Sequence, residues 1–230
     1  GKRIAYAPSM GPKPFDEIDK KFYPFIKESV AHYDAIAVRE QDEATLLKQV
    51  AGITPPVVLD PTLLVTPQDW SSLAGDKPLI NGDYIFIYTP WYYNYGALFT
   101  TALKLAKRYN LKIICSLPDN VSQWHKEPNF QYYTAVGPIE FLNLVKFSKY
   151  VFCGSFHAVV FSILFNKPFF AYEGMKDSRI APLLKKTGLE QYTEFQEGQL
   201  PISYNYKDAI ERLKLPIKQS IQYLKNAIND

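Results

Sequence analysis

The chain has 230 residues with 26 lysines and arginines against 23 aspartates and glutamates, which gives a formal net charge of +3. Hydrophobic residues make up 47% and charged residues 21%, so an intrinsically disordered chain is excluded. The length allows one large or two modest domains, and the scattered basic residues, which form no cluster, argue against a nucleic-acid binder.

Apolar strands and amphipathic helices alternate in the first part of the chain. In chain order the pattern predicts a strand over 3–7, a helix over 15–32, a strand over 35–38, a helix over 41–50 and a strand over 57–59. This order is typical of a parallel sheet. Three strands are fewer than the roughly five or six of a doubly wound domain. Residues 1–66 are therefore predicted to form an incomplete Rossmann-like unit.

A polar stretch over 67–83, rich in proline and glycine, predicts a linker with one helical turn near 68–73. Beyond it the alternation of strands and helices resumes. It predicts strands over 84–88, 112–117, 150–153 and 168–172, a weak strand within 118–136, and helices over 97–109, 138–147, 155–165, 180–187 and 207–228. Pro216 predicts a bend in the last helix. The expected fold class is α/β, with two Rossmann-like units in tandem and the complete one over 84–230.

The two cysteines, Cys115 and Cys153, lie in apolar strand-like runs. This placement predicts buried free thiols and argues against a disulfide scaffold or a zinc site. No signal peptide is visible, and the longest apolar run, 150–165, is shorter than the roughly 20 residues of a spanning helix. We therefore expect a cytoplasmic protein.

The clearest local feature is the segment Gly154-Ser155-Phe156-His157, which joins a buried strand to a helix. The start of a helix suits anions, because its first N–H groups have no partner within the helix. Ser155 is a candidate helix cap. His157 is expected at the carboxyl edge of the sheet, where α/β folds bind ligands and where a histidine can act as acid or base. The alternative is a structural histidine bonded to a nearby carbonyl, and the spacing leaves both interpretations open.

Arg39 ends the second predicted strand and is expected to face the same crevice as His157. Its guanidinium can bind a carboxylate or phosphate through two N–H groups. The alternative is an ion pair with Glu40 or Asp42, which the spacing alone favours.

The segment Lys176-Asp177-Ser178-Arg179 follows the last predicted strand. It fits either an anion-binding loop or the cap of the next helix, with Asp177 or Ser178 at the N-cap position. The sequence does not separate these two interpretations.

Several ordered blocks along the chain match the pattern of one family. The blocks are Lys2 to Gly11, Val38-Arg39-Glu40, Asp60-Pro61-Thr62-Leu63-Leu64, Gly154 to Ala158, Asn166-Lys167-Pro168-Phe169, Ser178-Arg179-Ile180 and Thr187-Gly188-Leu189. In order and spacing they resemble the polysaccharide pyruvyl transferase family. The resemblance implies a GT-B-like architecture, in which two Rossmann-like domains face each other across a cleft. It also implies transfer of pyruvate from phosphoenolpyruvate to hydroxyls of a polysaccharide sugar, which forms a ketal.

The resemblance also implies roles for individual residues. His157 and Arg39 are the expected catalytic residues, and Ser155 stands where the family's Arg–x–His motif has arginine. The expected substrate-binding residues are Ser155, Phe156, Ser9, Gly11, Lys176, Ser178 and Arg179. The expected partners are phosphoenolpyruvate, as the donor substrate, and a sugar or polysaccharide acceptor. No metal and no other cofactor is expected, and a peripheral position at a membrane, through a lipid-linked acceptor, stays open.

In the implied mechanism, Arg39, Arg179 and the N–H groups around Ser155 hold the donor, and His157 protonates its methylene carbon. A sugar hydroxyl then adds at C2, phosphate leaves, and a second hydroxyl closes the ketal. Two alternatives remain from the sequence: a GT-B-type glycosyltransferase that uses a nucleotide sugar, and a binding module without catalytic activity.

Overall fold

The computed structural model of the protein describes residues 1–11, 19–90, 96–116, 128–133, 136–193 and 206–229. The chain forms two compact units. The first unit consists of Gly1–Val65, Lys176–Gly188 and Glu211–Asp230, and the second consists of Thr66–Met175 and Leu189–Ile210. The sequence analysis assigned all of 84–230 to one domain, whereas the structure places two later segments with the first unit.

The first unit contains a two-stranded parallel sheet. Strand β1 (Ile4–Tyr6) pairs with β2 (Ala35–Ala37). The predicted strand over 57–59 is wrong as a ladder strand, because Val57 makes only an isolated parallel bridge with Val38. Two prolines precede Val57, at positions 55 and 56, and a proline has no N–H to donate to a ladder.

Three complete helices of the described residues accompany this sheet within the first unit. They are α1 (Tyr23–Val30), α2 (Gln41–Ala51) and α7 (Ile180–Thr187). Residues 12–18 of the predicted first helix lie outside the described residues, and a short 3-10 turn over Lys20–Phe22 precedes α1. Helix α2 ends at Gly52, whose φ of 73° is left-handed, a conformation that glycine adopts without steric cost. The predicted stop at this glycine is confirmed.

The second unit contains a five-stranded parallel sheet in the order β5-β4-β3-β6-β7. The strands are β3 (Tyr84–Tyr88), β4 (Lys112–Ser116), β5 (Phe130–Tyr132), β6 (Tyr150–Cys153) and β7 (Phe169–Ala171). The helices are α3 (Pro67–Leu73), α4 (Gly96–Tyr109), α5 (Pro138–Phe147) and α6 (Phe156–Leu164). Helix α8 (Lys207–Asn229) begins in this unit and continues into the first. It runs through Pro216, and the bend predicted there stays a prediction.

Both faces of this larger sheet are covered, as expected for a parallel sheet. On one face Ile85 and Ile87 of β3 belong to one buried cluster with Leu98 of α4. On the other face the ring of Phe141, on α5, lies 4.7 Å from the ring of Tyr88 and 5.9 Å from that of Phe161 on α6. Helices α4 and α6 therefore pack on opposite faces of the sheet.

Cys115 and Cys153 are both buried with free thiols, as predicted. Burial raises the pKa of each thiol above its usual range. Across the described part of the chain, no helix has the length and apolar character needed to cross a membrane.

A buried asparagine fixes the segment between α3 and β3 onto α5. The side chain of Asn143 donates to the carbonyls of Ala74 (2.8 Å) and Lys77 (2.9 Å), and it accepts from the N–H of Leu79 (3.0 Å). Only 5% of Asn143 is exposed. Part of the predicted linker is thus held by hydrogen bonds that solvent cannot replace.

We expect Asn143→Ala to lower the free energy of unfolding by about 3 kcal/mol, since each of the hydrogen bonds contributes about 1 kcal/mol. Urea denaturation followed by circular dichroism measures this change. Asn81→Ala is the matched control, because Asn81 is exposed in the same unit. Equal effects of the two substitutions would contradict the assignment.

Candidate active site

The carboxyl edge of the larger sheet carries the predicted Gly154-Ser155-Phe156-His157 segment. Ser155 occupies the N-cap position of α6 with an extended backbone, but its side chain makes no capping hydrogen bond. Ser155 and the side chain of Phe156 are buried, with exposed fractions of 6% and 5%. His157 is exposed on the first turn of α6, and its ring lies edge-on to that of Phe156 at 5.5 Å. This arrangement leaves the imidazole exposed on the first turn of α6.

Arg39 lies in the first unit and is held by two carboxylates. Its Nε donates to Glu40 at 2.7 Å, and its Nη1 pairs with Asp60. The exposed fractions of these side chains are 13% for Arg39, 6% for Glu40 and 2% for Asp60. Burial opposes the charge of Arg39, but the hydrogen bonds and charges of Glu40 and Asp60 outweigh it and raise the pKa of Arg39. The ion pair with Glu40 that the sequence left open is therefore present.

Asp60 also organises the chain that follows it. Its Oδ1 accepts hydrogen bonds from the N–H (2.9 Å) and the hydroxyl (2.5 Å) of Thr62. Asp60 thereby caps a short 3-10 turn over Pro61–Leu64. One carboxylate thus fixes both the turn and the guanidinium of Arg39. Sequence reasoning gave Asp60 no role, although the Asp60-Pro61-Thr62 block marks it as a turn-capping residue.

Glu43 is a buried carboxyl group that sequence reasoning missed. It accepts hydrogen bonds from the backbone N–H groups of Arg39 (3.2 Å) and Glu40 (3.3 Å), and from that of Met10. Glu40 and Glu43 also form a reciprocal capping box at the start of α2. The signal that could have found it is the glutamate three residues after the N-cap position.

The pKa of Glu43 is raised from 4.5 to about 8. Burial is the largest cause of this rise, and the neighbouring carboxylate of Glu40 is the second. Hydrogen bonds from the N–H groups of Glu40 and Met10 lower the pKa, but they offset only part of the rise. Glu43 therefore retains a proton at pH values where an exposed glutamate has lost it.

The remaining predicted residues of the first unit divide into two groups. In one group, the N–H of Gly11 donates to Ser9 Oγ at 3.1 Å, and the hydroxyl of Ser178 donates to the carbonyl of Gly11 at 3.2 Å. Three of the predicted binding residues are thus brought together.

In the other group, Arg179 binds Asp177 through two N–H groups, with Nε at 3.0 Å and Nη2 at 2.7 Å. Asp177 also accepts from the N–H of Ile180 at 3.3 Å, so the segment caps α7. The residue directly before α7 is Arg179, which makes no capping hydrogen bond through its side chain. The capping acceptor is the predicted Asp177, which also accepts from the N–H of Arg179 at 2.8 Å. Lys176 is exposed.

The predicted site residues are divided between the two units. Arg39, Ser9, Gly11, Lys176, Ser178 and Arg179 belong to the first unit, and Ser155, Phe156 and His157 belong to the second. That Arg39 and His157 contact one anion stays a prediction.

Comparison with known families adds to this geometry. The model of the family described as polysaccharide pyruvyl transferase matches residues 1–174, well over half of the chain. The chain belongs to the polysaccharide pyruvyl transferase family. No curated protein matches the sequence.

Solved structures similar to this polysaccharide pyruvyl transferase family member share its GT-B-like α/β fold. The Methanocaldococcus jannaschii UDP-GlcNAc 2-epimerase in complex with UDP-GlcNAc and UDP aligns with a TM-score of 0.52 and 13% identity, over 93% of this chain and 68% of that chain. A second structure of that epimerase gives a TM-score of 0.50 and 13% sequence identity, over 80% of this chain and 62% of that chain. The wall teichoic acid polymerase TagF aligns with a TM-score of 0.46 and 12% sequence identity, over 98% of this chain and 61% of that chain. The chain thus spans about two thirds of the length of these proteins.

Arg39→Met tests whether the buried ion pairs stabilise the first unit of this family member. Removal of the guanidinium leaves two buried carboxylates without their partner, so we expect a loss of about 3–5 kcal/mol in the free energy of unfolding. Urea denaturation measures it. Lys21→Met, which breaks the exposed pair of Lys21 with Asp19, is the control and should leave the midpoint unchanged. An equally small effect of Arg39→Met would show that the ion pairs of Arg39 do not stabilise the protein.

Glu43 predicts a pH dependence of stability. Because its folded pKa is raised, its contribution to stability is fully present below pH 4.5 and is lost as the pH rises towards about 8. Relative to the Glu43→Gln variant, the free energy of unfolding of the wild type should fall by at most about 1.4 kcal/mol per pH unit across this window. Urea midpoints at pH 5, 6, 7 and 8 give the comparison. A difference in urea midpoint between the two proteins that stays constant from pH 5 to pH 8 would contradict the raised pKa of Glu43.

Proposed function

We propose that this protein transfers pyruvate from phosphoenolpyruvate to hydroxyls of a polysaccharide sugar and forms a ketal. The observation that carries the proposal is the family match over residues 1–174, which includes an exposed histidine on the first turn of a helix at the carboxyl edge of a parallel sheet. This edge is where open α/β sheets bind ligands.

The charges of the described residues support a donor site at the start of α6. Arg39 and Arg179 each pair with buried or half-buried carboxylates, and a dianion beside them would meet like charge. The first turn of α6 contains no acidic residue, and a helix start favours anions. We therefore assign the phosphate or carboxylate of the donor to the start of α6, beside Ser155. Contacts of Arg39, Ser9, Gly11, Lys176, Ser178 and Arg179 with substrate stay predictions.

In this proposal His157, in its protonated form, donates a proton to the methylene carbon of phosphoenolpyruvate. The C2 carbon becomes electrophilic, and one sugar hydroxyl adds to it and loses its proton. The C2–O bond to phosphate then breaks and inorganic phosphate leaves. A second hydroxyl of the same sugar adds at C2 and loses its proton, which closes the ketal. One phosphoenolpyruvate and one diol thus give one ketal and one phosphate.

The donor is tested first by binding and then by turnover. Calorimetry compares phosphoenolpyruvate with UDP-GlcNAc, and we expect heat of binding only from the former. Turnover is measured as phosphate release with p-nitrophenyl hexosides that offer diols, and mass spectrometry detects the ketal product. Binding of the nucleotide sugar without binding of phosphoenolpyruvate would favour a glycosyltransferase. Donor binding without turnover would favour a binding module.

His157→Ala is expected to lower kcat by about a hundredfold or more, since a positioned general acid contributes about 10²–10⁴-fold. KM for phosphoenolpyruvate should change less, because the anion contacts remain. His32→Ala, an exposed histidine of the first unit, is the control and should keep full activity. Unchanged turnover of His157→Ala would remove the histidine from the reaction.

A further inference from the structure

Thr89 follows directly after β3, and its hydroxyl is buried without a partner. The residue has an exposed fraction of 0%. Among the described residues, the buried side-chain nitrogen and oxygen atoms that make no hydrogen bond are Thr89 Oγ1 and Tyr223 Oη. Folded proteins rarely leave such a group unpaired, because its removal from water costs free energy that only a hydrogen bond recovers. A buried unpaired hydroxyl needs an explanation, and at the ligand-binding edge of a sheet a bound ligand is one.

The position of Thr89 follows from the pairing of β3 with β6. Tyr88 lies opposite Cys153 in this register, and the N–H of Gly154 donates to the carbonyl of Tyr88 at 3.2 Å. Thr89 is therefore adjacent to the Gly154–Ser155 turn that begins α6. The hydroxyl lies at the same edge of the sheet as His157.

The strand order makes this edge a topological switch point, the place where open α/β sheets form a ligand-binding crevice. The chain leaves β3 towards β4 and β5 on one side, and then returns to place β6 and β7 on the other side. The helices that follow β3 and β6 pack on opposite faces, so the connections diverge between these two strands. In open α/β sheets such a switch point is where ligands bind.

We propose that Thr89 is a ligand-contacting residue of this crevice, and that its hydroxyl donates a hydrogen bond to an oxygen of a bound small anion. The anion is the phosphate or carboxylate group of the donor, so this inference rests on the proposed function and adds a contact within the same site. The hydroxyl is enclosed in the structure, so the proposal requires the atoms that cover it to move aside when the anion binds. The cost of keeping the hydroxyl unpaired is then recovered in the complex.

This assignment predicts opposite effects of one substitution on stability and on binding. Thr89→Val keeps the shape of the side chain and removes the unpaired hydroxyl. We expect Tm to rise by about 2–4 °C, while binding of phosphoenolpyruvate weakens roughly tenfold to a hundredfold, because a hydrogen bond to a charged group is lost. Thr89→Ser keeps the hydroxyl and should bind within a few-fold of the wild type.

The experiment measures Tm by thermal melting, and affinity by calorimetry with phosphoenolpyruvate, inorganic phosphate and pyruvate. The last two probes show whether Thr89 contacts the phosphate or the carboxylate. Tyr223→Phe is the matched control, since it removes the other unpaired hydroxyl, which lies in the first unit. It should raise Tm or leave it unchanged, without any change in affinity.

Weaker binding by Thr89→Val, with binding retained in Thr89→Ser, supports the proposal. Binding of all probes by Thr89→Val with wild-type affinity overturns it. A fall in Tm with unchanged affinity also overturns it, since a buried water would then satisfy the hydroxyl. If the wild type turns over phosphoenolpyruvate and Thr89→Val binds normally, only this inference fails. If phosphate binding depends on Thr89 but no acceptor supports turnover, the proposed function fails and the contact stands.

Discussion

The parallel pairing of β3 with β6 is the constraint on which the candidate site depends. The register that puts Tyr88 opposite Cys153 brings the end of the first strand of this sheet beside the start of α6. Some 60 residues of chain separate these two strands, and only the backbone hydrogen bonds between them place Thr89 next to the Gly154–Ser155 turn. Because helices follow the two strands on opposite faces, the chain connections diverge at this edge, which is where open α/β sheets bind ligands.

Charge distribution separates residues that hold the fold from those that can meet an anion. Arg39 and Arg179 are the arginines expected to bind the donor, yet each is engaged by carboxylates at hydrogen-bond distance. A guanidinium that neutralises Glu40 and Asp60 presents little net positive charge to a phosphate. The start of α6 has no acidic residue in its first turn. In the proposal above, the backbone N–H groups at this helix start and the hydroxyl of Thr89 donate to the anion.

Buried polar groups in the two units serve different ends. Asn143 is fully hydrogen-bonded and fixes a loop to a helix. Glu43 accepts three backbone N–H groups, yet its burial beside Glu40 favours the protonated form. Thr89 is buried without compensation. Satisfied groups of this kind stabilise a fold, whereas an unsatisfied one lowers its stability.

The sequence by itself determined the local elements. The runs Tyr84–Tyr88 and Tyr150–Cys153 are strands as predicted, α2 ends at Gly52, and the turn before His157 opens a helix. These features depend on side-chain periodicity and on the backbone preferences of neighbouring residues, which are legible in a short stretch of sequence. The strand over 57–59 was overestimated, since its apolar run is flanked by prolines that limit a ladder.

Only the tertiary structure decided which groups are paired. Asp60 meets Arg39 across 21 positions, Asn143 meets Ala74 across 69, and the segments Lys176–Gly188 and Glu211–Asp230 join the first unit. Burial of the Thr89 hydroxyl is likewise a result of the tertiary structure. The free energy of a polar or charged group is set by the solvent and the partners around it. Those surroundings come from parts of the chain that are distant in sequence, so no local pattern contains them.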